Sequence, residues 1–190
     1  EGVNVFFSAT QRGLFSAKEQ GSMTQMVSNF EQTLRKNMAQ ADVFAIFDDF
    51  FDSTLRGSGG TSKYVAPGKA GKCLALGFYT TSNSARLNKV VVYYRDRSNQ
   101  LRFYQTKSPG TTLGSLQTNL PSISGSSSHK VLFKLAATPN ALFTNLYDRG
   151  ALFSAKVKYS RYSILAKAGK NRIHDQTFDV RFGVTTQKDL

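Results

Sequence analysis

One cysteine, two histidines and no tryptophan occur in 190 residues, and each shortage removes a class of protein. Cys73 has no partner for an internal disulfide, and with only His129 and His174 beside it no common zinc ligand set assembles. A disulfide scaffold and a zinc module are therefore excluded. Without tryptophan, the 15 Phe and 8 Tyr must supply the large core side chains. No apolar run approaches the ~18 residues a membrane-spanning helix needs, and the opening EGVNVFFSATQRG lacks the basic-then-apolar order of a signal peptide. The sequence reads as a soluble chain, and its start at Glu1 suits a processed or trimmed piece. Its length fits one compact domain.

Acidic residues are also scarce, 12 against 25 Lys and Arg, for a net charge of +13. The excess is uneven. Residues 1–60 carry five bases and seven acids, hence −2, whereas residues 61–190 carry 20 and 5, hence +15. A field of that sign attracts polyanions and is screened by salt.

The hydrophobic period changes near residue 60, dividing the chain into an N-terminal helical region, 1–60, and a basic β region, 61–190. From Ser22, the residues Met23, Met26, Val27, Phe30, Leu34, Met38 and Ala41 recur at spacings of three and four, which predicts an amphipathic helix from about Ser22 to Ala45. Ser22 and Gln25 have the form of a capping box, and Gly21 is expected to mark the helix start. Residues 5–20 suggest a shorter helix, and the acidic cluster Asp42, Asp48, Asp49 and Asp52 suggests a helix end followed by the cap of another. Beyond the Gly/Ser stretch at 57–60 the period is two: Phe153, Ala155, Val157 and Tyr159 alternate with polar residues, as do Phe178, Val180, Phe182 and Val184. KVVVYYRD and QLRFYQT predict a hairpin, flanked by strands at CLALGFYT and KVLFKL, with a further candidate at YSILA. No helix-length connection separates these strands, so antiparallel pairing is expected. The predicted fold class is α+β, an N-terminal amphipathic helix packed on an antiparallel sheet.

On such a sheet Met26, Phe30, Leu34 and Met38 form the helix face that assembles with the strands. Arg102, Lys156, Lys158 and Arg181 then point away from the helix. Tyr93, Tyr104, Tyr159 and Tyr162 are interspersed with these cations, an arrangement on which single-stranded nucleic acid stacks. The competing reading is a solvated sheet face, because no RNP-type sequence or helix-turn-helix pattern accompanies the charges.

Searches for chemistry find little. PGKAGK at 67–72 has the wrong glycine spacing for a phosphate loop and lacks the Ser or Thr after Lys72. His174-Asp175 has no G-x-S-x-G elbow to serve and reads as a loop before the last strand. The aspartates lack calcium-loop spacing. Residues 107–128, rich in Ser, Thr, Gly and Pro, suit a lid or a surface excursion. No enzyme activity, cofactor or metal is expected.

The order of elements resembles a known family. NFEQTLRKNMAQAD, then LALGFYTTSNSARLNKVVVYYRDRSNQLRFYQT, then ALFSAKVKYS and QTFDVRFGVTT, is similar to minor pilins and pseudopilins of type IV pili and type II secretion, nearest to the J-type pseudopilin and W-type minor pilin. The positions that carry it are Phe30, Leu34, Arg35 and Ala41 on the helix, the hairpin from Val90 to Tyr104, and the strands near Phe153 and Phe178. The family's leader and Phe-led apolar helix do not occur in these residues. The resemblance implies a non-enzymatic subunit of a surface filament in the bacterial cell envelope, with other subunits as partners. A basic, Phe-rich β protein with a helical arm equally describes a processed virion structural protein, whose cations meet nucleic acid or neighbouring subunits.

Overall fold

In the computed structural model of the protein, the described residues are 4–7, 17–52, 64–80, 83–107, 116, 120, 129–136, 141–165 and 170–186. Met23, Val27, Phe30, Leu34 and Met38 stand one above another on helix α1, Ala17–Gln40, and all five are buried. The helix begins before the expected start and runs through Gly21. A glycine inside a helix costs about 1 kcal/mol relative to alanine, which burial of five large side chains outweighs. Strand β1, Asn4–Phe7, replaces part of the shorter helix expected at residues 5–20. The helix ends earlier than expected, where Ala41 donates its amide to the Asn37 carbonyl and Asp42 donates to Gly77 in the sheet. VFAIF then forms strand β2, Val43–Phe47, rather than the last turns of the helix. Its β-branched and aromatic residues favour a pleated surface.

The other strands are β3, Ala70–Gly71; β4, Cys73–Thr80; β5, Asn83–Arg95; β6, Gln100–Lys107; β7, Lys130–Leu135; β8, Phe143–Asn145; β9, Gly150–Leu165; and β10, Lys170–Thr185. Every pairing is antiparallel, and the main order is β1-β10-β9-β7-β6-β5-β4-β2. The hairpin β5–β6 falls where the alternating pattern placed it.

The α+β expectation is overturned: the protein is mostly β, ten strands to one helix among the described residues, in a nearly closed antiparallel barrel. Closure runs through strands too short to show a period. One edge of β9 gives Val157 and Lys158 to β7, and Ala151, Leu152 and Phe153 to β8. Strand β8 in turn pairs with β3, which passes directly into β4. Leu142 is a link in this seam, donating to Gly71 O at 2.9 Å and accepting from Ser154 N at 3.0 Å. Gly71 is required here, because a Cβ would meet the Phe47 backbone carbonyl.

Two apolar clusters result. The larger unites α1 with residues of β2, β4, β5, β6, β7, β9 and β10. The smaller lies on the opposite face of β2, β4 and β5, where Phe47, Phe50, Ala75, Val92 and Tyr94 pack with Leu116. Strand β4 is therefore buried on both faces, which explains the unbroken apolar run CLALGF.

Candidate assembly surface

Phe30 seats the helix. Its ring meets Tyr93 at 5.9 Å, Phe133 at 5.3 Å, Phe153 at 5.0 Å and Phe182 at 5.6 Å, all edge-on, so one side chain touches β5, β7, β9 and β10. Leu34 and Met38 are fully enclosed below it, and Met26 is partly exposed. Three of the four helix residues singled out from the sequence thus bind the chain's own sheet. Asn37 donates to the Tyr93 hydroxyl at 2.8 Å. Burial pushes the Tyr93 phenol up to about 12, against the lowering effect of that hydrogen bond. Tyr93 is accordingly a core residue rather than a stacking platform.

Beside Met26 the helix and sheet part to leave a cleft of about 470 Å³. Its lining includes Gln25, Asn29, Phe103, Val131 and Leu132, and among the described residues its single charged group is Lys130.

The four predicted cations lie on the outer face, but their surroundings differ. Lys156 is exposed and opposes Asp179 across β9–β10, and Arg181 is exposed opposite Ser154. Lys158 opposes Thr177 on one side and Lys134 on the other. Arg102 is held inside a polar network. Its Nε reaches Asp96 Oδ2 at 2.5 Å, its Nη1 donates to the His129 carbonyl at 2.8 Å, and only 16 % of its side chain is exposed. The structure therefore separates Arg102 from Lys156 and Arg181, which are exposed, and from the half-buried Lys158. Lys134, absent from the predicted set, stands next to Lys158.

Asp96 organises that network from the β5–β6 turn. Its Oδ1 accepts from Ser98 N at 2.8 Å and Gln100 N at 2.9 Å, while Asn99 takes the left-handed conformation that closes the hairpin. On the far side, Tyr94 Oη lies 2.5 Å from His129 Nδ1, and the Tyr104 ring packs 4.4 Å from the imidazole. Burial and then the Arg102 charge lower the His129 pKa from its ordinary 6.5. Burial raises the Tyr94 phenol, opposed by Arg102 and reinforced by Asp96 and Cys73. Asp96 was missed as a turn residue at the end of KVVVYYRD, although an aspartate two residues ahead of Ser98-Asn99 is a signal for a side-chain-capped turn. His129 carried no sequence signal.

The lowered His129 pKa has a definite sign. The unfolded chain binds the proton more readily, so the full contribution of the neutral ring is present above about pH 6.5 and is lost as pH falls toward the folded-state value. Urea unfolding at pH 7.5 and 5.5 should show a larger loss of stability for the parent than for His129→Gln, which cannot titrate. Equal losses would mean that His129 is not linked to folding in this window.

The remaining motifs are dispersed. Asp42 accepts from Tyr79 N at 2.7 Å, whereas Asp49 caps Phe51 N at 3.0 Å and lies 4.0 Å from Lys72. Strand β2 stands between them, so Asp42 and Asp49 do not share a helix end, and the residues after Asp52 that a second helix would occupy, 53–63, lie outside the described residues. No group of three or more candidate metal ligands gathers among the described residues. PGKAGK makes a turn at Gly68, with φ of 80°, and strand β3. His174 and Asp175 belong to β10 rather than a loop, pairing with Arg161 and Ser160 in register. Their side chains, with those of Tyr159 and Tyr162, lie outside the described residues, as does most of 107–128. No helix among the described residues is long and apolar enough to cross a membrane. No protein-family model, curated protein or solved structure matches the chain.

Proposed function

We propose that this chain is a non-enzymatic structural subunit of a surface filament in the bacterial cell envelope, of the kind that minor pilins and pseudopilins provide. The observation that carries this reading is the seating of α1. One stripe is locked across four strands by Phe30, and Thr24, Gln32, Lys36 and Gln40, away from the cleft, are exposed and polar with a single charge. A helix bound rigidly to its own domain by one face can present the other to neighbouring copies without unfolding. The expected result is that the protein appears by immunoblot in filaments sheared from the cell surface, and that deleting its gene reduces their number. Recovery in purified virions, with none in sheared filaments, would overturn the filament reading.

The outward-facing cations favour a second reading, a virion structural protein whose outer face contacts nucleic acid. Lys134, Lys156, Lys158 and Arg181 are spread over the outer face of three strands. Each phosphate neutralised contributes ~0.7 to the salt slope for a single strand. The variant K156E/K158E should therefore bind labelled single-stranded DNA more weakly at low salt, equally for all sequences. Binding equal to the parent at low and moderate salt would remove nucleic acid from this face.

A further inference from the structure

Among the described residues, the seam between β7 and β9 is short. Strand β7 pairs with β9 only through Lys134↔Lys158 and Leu135↔Val157. Beyond Lys158 the strand β9 continues to Leu165, paired with β10 alone among the described strands. The outer edge of β7 from Lys130 to Phe133 thus has no strand partner among the described residues, and unpaired backbone donors and acceptors on a sheet edge are a template for another strand. This edge is about 13 Å long at strand rise. The cleft beside Met26 and Phe30 lies along it. The β6–β7 register shifts at Leu101/Arg102, within this stretch, and Val131 stands 39 % exposed at the cleft. Such shifts re-aim side chains and commonly adjoin sites.

We infer that the free edge of β7 and its cleft bind an extended acidic peptide segment by strand addition. The backbone of β7 supplies ladder hydrogen bonds, and alternate apolar side chains of the peptide enter the cleft against Met26, Phe103 and Leu132. Charge selects the acidic class. Lys130 is the only charged residue lining the cleft among the described residues, and Lys134 stands exposed where the opening begins. Neither lysine pairs with a carboxylate among the described residues. Lys134 also stands beside Lys158 in register, which adds positive charge where the opening begins. The inference does not depend on whether the assembly is a filament or a virion.

The test is fluorescence anisotropy of the whole protein with a labelled ten-residue peptide of alternating aspartate and valine. Saturable binding is expected, about tenfold weaker for K130E/K134E. The reversal K69E/R149E, at exposed sites away from the cleft, should leave it unchanged and so controls for net charge. N-methylation of alternate peptide amides removes ladder donors while keeping charge, and should also weaken binding about tenfold. Equal binding of the N-methylated peptide, equal loss in both reversals, or no binding overturns strand addition. Sedimentation showing a dimer that K130E/K134E dissociates would assign the edge to a second copy and overturn the peptide.

Discussion

Replacing Phe30 by alanine should lower the melting temperature by roughly 6–20 °C. Truncating a buried phenylalanine costs about 3–5 kcal/mol, and each kcal/mol shifts the midpoint by about 2–4 °C in a domain of this size. Phe30 is placed to reach the upper part of that range. It is 6 % exposed and its four edge-on ring contacts come from four different strands, so no single strand can move in to fill the void. The loss also weakens the attachment of α1, whose other buried residues pack in the same cluster. Phe30→Leu should recover part of the stability by filling volume without the aromatic edges, and Met26→Ala, at a partly exposed position, should have a smaller effect. A midpoint unchanged in Phe30→Ala would show that the helix is not seated through this ring.

The parts of this fold that were legible in the sequence are those with a long, clean period. The stripe from Met23 to Met38 gave the helix, and the alternation at Phe153–Val157 and Phe178–Val184 gave two strands with their inward residues correct. The closure of the barrel was not legible. It depends on AG and FTN, two and three residues long, and on the edge strands NVFF and VFAIF. Segments of that length carry no periodic signal, and tertiary pairing alone decides their conformation. Gly21 misled for a related reason: burial of the apolar stripe exceeds a local penalty of about 1 kcal/mol.

The candidate site was legible only as a face. Alternation correctly sets Lys156, Lys158 and Arg181 on the side of the sheet opposite Phe153 and Val180, but it carries no information about partners across strands. Lys134 beside Lys158, Asp179 opposite Lys156 and Asp96 against Arg102 are products of register. The same limit applies to aromatics. Tyr93 and Tyr94 are neighbours in sequence and occupy opposite faces, one against α1 and the other against Phe50 and His129. The parity of a strand separates them, but only burial on both faces of β5 shows that neither is available to a nucleic acid base.

Replacing Asp96 by alanine should destabilise the protein by about 3 kcal/mol or more, although it lies in a surface hairpin. Removing one partner of a buried ion pair leaves the other charge uncompensated, and such losses run to about 3–5 kcal/mol. The Asp96 and Arg102 side chains are 7 % and 16 % exposed, so water replaces little of the lost attraction. Arg102 keeps the His129 carbonyl and a longer contact to Gln100 Oε1 at 3.3 Å, which places the expected value toward the lower end. The turn amides of Ser98 and Gln100 lose their acceptor as well, at about 0.5–1.5 kcal/mol for each hydrogen bond. A double-mutant cycle separates these contributions. In D96A/R102M the unpaired guanidinium is gone, so the double variant should be less destabilised than the sum of the singles, with a coupling of about 1–3 kcal/mol. The residue left in the double variant is the cost of the uncapped turn. Additive losses in chemical denaturation would mean that the pair is not coupled, and that the link from the β5–β6 turn through Arg102 to the start of β7 does not hold the hairpin in place.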